Sequence, residues 1–323
     1  MKKRLILAAM AAMMTMTVAI AQQIAVVSEG GETTLYQTFQ VAIEGADPGS
    51  VIYLPGGSFP IADDVIITKR LTIIGVGHKI LANNTEGNTF ISGNLHFGEG
   101  SSGSAVLACY ITGGLDIGSG NSIVNDVLIR YCNLRGMNVS SQCTGTTINQ
   151  NYLRWEFGSD YARITLNGSN CNFTNNVCGP PIENLNGGLI SNNIIINTWY
   201  NNSIYECSNV VITNNIIFGG HSGANQLVSG NMTPYEWGEN CINVEGVGWN
   251  NIFVNYTGGA VGTMWDLHFK EGYQQYSNCG IYGGTGFNDN QMAPVPYIVA
   301  KRIAEETDAA GQLKIQVRVK SGE

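Results

Sequence analysis

One short phrase returns along this chain: Ile148-Asn149-Gln150-Asn151-Tyr152-Leu153, Phe173-Thr174-Asn175-Asn176-Val177-Cys178, Ile190-Ser191-Asn192-Asn193-Ile194-Ile195, Ile212-Thr213-Asn214-Asn215-Ile216-Ile217 and Trp249-Asn250-Asn251-Ile252-Phe253. A short apolar strand, an Asn step and a second apolar strand recur about every twenty residues, the period of solenoids in which one repeat is one turn of a coil. Aligned on the second Asn, the row reads Asn151, Asn176, Asn193, Asn215 and Asn251, and Cys109 and Cys132 fall into it from earlier segments. Three residues before it stand Ile129, Ile148, Phe173, Ile190 and Ile212. Two residues after it stand Ile111, Leu134, Leu153, Cys178, Ile195, Ile217 and Phe253. Such rows predict parallel strands stacked around one apolar core.

Asn tolerates the left-handed backbone of a tight corner, and stacked Asn side chains can hydrogen-bond from coil to coil. Upstream, Leu35, Phe39, Ile43 and Ala46 line one face of a helix expected over Thr34–Ala46, followed by Asp47-Pro-Gly-Ser-Val-Ile-Tyr-Leu-Pro-Gly-Gly-Ser-Phe59 and Leu71-Thr-Ile-Ile-Gly75. With these features the chain resembles the pectate-lyase-like superfamily over roughly residues 24–290. The resemblance implies an all-β fold, a single-stranded right-handed parallel β-helix whose open N-terminal end is covered by the helix. It implies no single activity, because that superfamily includes lyases, hydrolases, isomerases, tailspikes and adhesins.

Residues 1–21 read as a secretory signal: Lys2, Lys3 and Arg4, then an apolar run, then Ala19-Ile20-Ala21. The expected organisation is a signal over 1–21, a β-helix with its N-terminal cap over 22–290 and a C-terminal β-hairpin over 291–323. Leu313 to Lys320 alternates apolar and basic residues, and the hairpin is expected to cap or flank the C-terminal coils. The chain is expected to be exported, to the periplasm, cell surface or medium, with no transmembrane segment. Beyond the signal, 13 Lys and Arg face 24 Asp and Glu, a net charge of −11 that disfavours nucleic acid as a partner. Cys109, Cys132, Cys171 and Cys178 fall in packed rows and are expected to be buried and reduced; register leaves Cys143, Cys207, Cys241 and Cys279 open. No Cys-x-x-Cys or Cys/His cluster has metal-ligand spacing, so neither a metal nor a cofactor is expected.

The motifs of known β-helix enzymes are mostly missing, and Gly220-His221-Ser222 matches a hydrolase segment only in part. The expected partner is a polysaccharide, with an acidic one suggested by Arg135 and Arg154, which share one register position on successive coils. Two guanidinium groups at strand spacing repel unless an anion sits against them. The candidate site adds Arg163 as a further cation, and Glu156, Asp160 and His221 as acid or base groups. Trp155, Trp199, Tyr235 and Trp237 are candidate stacking surfaces for sugar rings. His221 and Trp237 lie in an apparent insertion of about a dozen residues between Phe218 and Trp249, where a rigid solenoid can place function. Two readings stand: a glycan binder or processing enzyme, lyase or hydrolase if catalytic, and a non-catalytic surface or adhesive module.

Overall fold

The computed structural model describes residues 23–62, 65–78, 87–118, 122–154, 163–196, 202–237, 240–256, 265–294, 297–303, 311–312 and 315–320. The expected signal lies outside the described residues. The fold is all-β and mostly parallel, consistent with a β-helix. An 11-stranded sheet carries one strand per coil, from Val51–Tyr53 to Leu227–Ser229, all parallel. Its first two strands, Ile24–Val27 and Thr33–Tyr36, are antiparallel additions at the N-terminal end. A 16-stranded sheet holds two parallel ladders, joined because Tyr110–Ile117 and Asn133–Val139 run unbroken through both.

The expected rows are real neighbours. Ile129, Ile148, Phe173, Ile190 and Ile212 pair in register, as do Ile111, Leu134, Leu153, Cys178, Ile195 and Ile217, and all are fully buried in one cluster. Burying each large apolar side chain contributes about 1.5–3 kcal/mol, which makes the stack the main driving force.

Between the two rows the chain turns a corner, and the two corner residues divide the work. The first, at Gln150, Asn175, Asn192 and Asn214, is left-handed, with φ of 53° to 57°. Asn meets that demand at little cost. The second builds a buried ladder. The backbone N–H of Asn151 donates to Asn176 Oδ1 at 2.9 Å, Asn176 to Asn193 at 2.8 Å, Asn193 to Asn215 at 2.9 Å and Asn215 to Asn231 at 2.9 Å. Each Nδ2 also donates to a main-chain carbonyl of the preceding coil, as Asn176 does to Ile148. Cys132 stands in the row as expected: its N–H donates to Asn151 Oδ1, and its thiol reaches Val106 O where an Asn amide would reach.

The ladder corrects one alignment. Its last Asn is Asn231, preceded by left-handed Gly230, and Asn251 lies in a short helix, Trp249–Ile252. Gly230 replaces the usual first Asn, which hid the repeat. The apparent insertion therefore vanishes: Gly220–His221, Leu227–Ser229 and Met232–Thr233 are strands of a regular coil. Phe253 leaves the core row and pairs antiparallel with Phe269.

A second apolar layer lies outside the ladder of short strands. Tyr152, Val177, Ile194, Ile216 and Met232 point away from the core, yet are buried under Ile252, Phe253, Leu267 and Ile281. From there the chain runs back along the Asn corner as a strap. Gly280 N–H donates to Asn214 O, Asn192 Nδ2 to Asn278 O, Asn175 Nδ2 to Ile281 O and Gly283 O, and Asn288 N–H to Gln150 Oε1. The strap ends at Ala293, packed with Ile74, Ala108 and Tyr131. The hairpin, Tyr297–Ile303 against Ile315–Lys320, forms its own two-stranded sheet.

At the other end the helix is shorter than expected, Phe39–Gly45, with Thr38 Oγ1 accepting the Val41 N–H. Phe39, Ala42, Ile43 and Ala46 are buried in the main core. Leu35 is instead in the strand Thr33–Tyr36, opposite Ala25, and is 53% exposed. The β-branched pair Thr33-Thr34 favours that strand.

All eight cysteines are free thiols, and all but Cys241 are buried. Burial pushes the Cys132 and Cys207 thiols up to about 12 and those of Cys171 and Cys279 up to about 11. Native alkylation is expected to label Cys241 first, with the rest reacting only on unfolding. Because an unfolded thiol ionises near about 8.5, the folded state holds more protons above that pH. These thiols therefore stabilise the fold fully below about pH 8, and that contribution is lost as pH rises toward about 12. A urea-melt series from pH 7 to 11 reads this directly, and rising stability over that range would contradict it.

Candidate functional site

The feature that shapes the outer surface is a slip in strand pairing. Ile111 pairs with Leu134 and Gly114 with Gly136, so Thr112 and Gly113 together face the single residue Arg135. Such a bulge re-aims the side chain beside it. Gly113 is required there: a Cβ would stand 2.3 Å from Asn94 Oδ1 and 2.4 Å from Gly93 O. Asn94 Oδ1 in turn accepts the Gly114 N–H at 2.7 Å. The bare backbone of Gly114 and Gly136 floors a groove of about 470 Å³, lined by Asn94, Asp116, Arg135, Asn138, Arg163 and Thr165 among others. These residues come from four successive coils, so the groove runs along the stack.

Its charges are partly matched from within. Asp116 Oδ2 lies 2.9 Å from His96 Nδ1 on the neighbouring coil. Arg163 pairs with Glu183 at 3.4 Å, the cation side chain 54% exposed and the carboxylate 12%. Arg135 and Arg154 follow Leu134 and Leu153 in register, as expected, but they do different things. Arg154 donates to Ile111 O at 3.0 Å and lies 4.2 Å over the Tyr110 ring, two coils back, whereas Arg135 lines the groove. Two stacked cations are thus accommodated by turning one onto a carbonyl and an aromatic face. Arg154 belongs to the scaffold, and the groove's cations are Arg135 and Arg163.

Asp116, Asn138, Thr165, Glu183 and Tyr205 form one outward row in successive coils. Asp116 and Glu183 are three strand steps apart, about 14 Å, beyond the roughly 5–9.5 Å that separates the paired carboxylates of glycosidases. His221 stands in the Ile204 row, about 19 Å along the stack from Met137. Its Nδ1 meets Gln226 Oε1 and its ring lies edge-on to Trp237 at 4.3 Å. Trp237 is buried in the main core, which corrects its expected role as a sugar platform. Tyr235 is 48% exposed, but about five strand steps, some 24 Å, from Arg135. Trp155, Glu156, Asp160 and Trp199 lie outside the described residues.

Among the described residues no group of three His, Cys, Asp or Glu could hold a metal ion. No described helix is long and apolar enough to cross a membrane. In comparisons with protein-family models, curated proteins and solved structures, nothing matches the chain.

Proposed function

We propose that the chain is an exported right-handed parallel β-helix of the pectate-lyase-like kind that binds an acidic polysaccharide along its outer face. The observation that carries the reading is the groove at Arg135. It brings Arg135 and Arg163, on neighbouring coils, to one open surface beside the neutral hydrogen-bonding side chains of Asn94, Asn138 and Thr165. Arginine suits a carboxylate because its planar fork gives two parallel N–H donors. The Arg163–Glu183 pair is long and largely exposed on the cation side. The exposed side of the Arg163 guanidinium can therefore meet a ligand carboxylate while Glu183 stays beside it.

Binding is the part of the reading that the groove supports; catalysis, as a lyase or hydrolase, would add to it. Of the acid and base groups named from sequence, His221 is four coils away from Arg135, and Glu156 and Asp160 lie outside the described residues; the carboxylates found in the outward row, Asp116 and Glu183, are about 14 Å apart. The alternative, a purely structural module, draws on Arg154, which donates to Ile111 O and lies over the Tyr110 ring.

Calorimetric titration with acidic and neutral oligosaccharides tests the proposal. The acidic ligand is expected to bind, and Arg135→Gln with Arg163→Gln to weaken it at least about tenfold, since a lost charge-assisted contact costs about 1.5–3 kcal/mol. Arg154→Gln is expected to affect stability more than affinity. Unchanged affinity in the Arg135/Arg163 double variant would sink the site.

A further inference from the structure

One glycine of the groove is not required by the fold around it. Gly114 lies inside the strand Tyr110–Ile117, pairs with Gly136 and, next to buried Leu115, faces outward into the groove. Its backbone is not left-handed, so other residues can adopt it. A Cβ there would meet only Asn94 Oδ1 at 3.7 Å and Gly136 O at 3.8 Å, both ordinary van der Waals contacts. Gly113, one residue earlier, is the opposite case, since its Cβ would fall 2.3 Å from Asn94 Oδ1. Glycine in a strand interior weakens the strand, and where no packing demands it, it marks a place where something approaches the backbone closely.

On the glycan reading, on which this rests, we infer that Gly114 is a ligand-contact residue: a sugar ring lies face down on the strand backbone there, in the room that the missing side chain leaves. Register sets the ends of the seat. Asn94 stands one residue before Leu95, Gly114 before Leu115, Gly136 before Met137 and Arg163 before Ile164, four matched positions on four coils. The middle two carry no side chain, so about two strand spacings, roughly 10 Å, of backbone floor the groove between Asn94 and Arg163. The Gly114 N–H is already given to Asn94 Oδ1, so this residue offers carbon surface and no free donor. A pyranose ring divides the same way: its faces carry C–H groups, while hydroxyls and a carboxylate project from its rim. Face down, it sets C–H groups on the glycine floor and turns its rim toward Asn138, Thr165 and the exposed cation of Arg163. A methyl group at 114 would lift the ring from the floor and draw its rim groups out of reach, and dispersion contact falls steeply across even a small gap.

The test titrates an oligouronate into the parent chain, Gly114→Ala and Gly114→Val, and records a melting curve for each. Gly114→Ala is expected to weaken binding at least about tenfold. Its melting temperature is expected to equal or exceed the parent's, because alanine fits this backbone and restricts the unfolded chain. Gly114→Val is expected to weaken binding further, in step with the size of the side chain. Gly113→Ala supplies the contrast, with a lowered melting temperature. Parent-like affinity in Gly114→Ala, or a melting temperature several degrees below the parent's, overturns this inference and leaves the glycan reading standing. No binding by the parent chain overturns both.

Discussion

Asn193→Ala is expected to lower the unfolding free energy by about 2–6 kcal/mol. Asn193 Oδ1 accepts the Asn176 N–H, and its Nδ2 donates to Phe173 O, both inside the fully buried corner. Truncation orphans these two groups where no water can replace the partner, and each orphaned buried group costs about 1–3 kcal/mol. Asn186→Ala provides the contrast. Asn186 also accepts from an Asn on the next coil, Asn209, at 2.8 Å, but it is exposed, so the loss is expected to stay within about 0.5 kcal/mol. Urea unfolding of both variants reads the difference, and equal losses would mean that the buried ladder carries no special weight.

Phe253→Ala is expected to be comparably severe but confined to the outer layer. Phe253 is fully buried against Trp249, Tyr256 and Phe269, and a buried Phe→Ala change costs about 3–5 kcal/mol. Because this layer is a cluster separate from the main core, the loss should appear as local opening. Hydrogen exchange is expected to speed up over residues 244–256 and 265–287 while the ladder amides of Asn176 and Asn193 stay protected. Loss of protection at those ladder amides would show that the coils depend on the layer for their own folding.

The stacked rows were legible because each is tied to the Asn corner by a fixed short spacing: Ile190 always precedes and Ile195 always follows Asn193 by the same count as in other coils. The groove was not, because the outward row lies beyond loops of variable length. From the ladder position to that row the chain takes 6 residues to Asn138, 14 to Thr165, 7 to Glu183 and 12 to Tyr205. No alignment on the corner brings those four together, so Asp116, His96 and Glu183 went unseen. Arg135 and Arg154 sit close enough to the corner for their shared register to be read. Their divergence depends on the Thr112-Gly113 bulge and on Tyr110, which only the paired strands reveal. Gly230 misled the count in the last coil, since it supplies the left-handed step without the Asn that marks it elsewhere. The outer layer has its own sequence sign in doublets such as Ile194-Ile195 and Ile216-Ile217: in a strand, two adjacent apolar residues face opposite sides, so both sides must be covered.

The central claim, that the groove at Arg135 holds an acid sugar, is tested most directly by mapping side-chain resonances during titration with an acidic oligosaccharide. The account predicts saturable shifts at the guanidinium groups of Arg135 and Arg163 and the amides of Asn94 and Asn138, with Arg154, Asn231 and Tyr235 unmoved. Shifts centred on the last coils around Tyr235, with Arg135 and Arg163 silent, would contradict it.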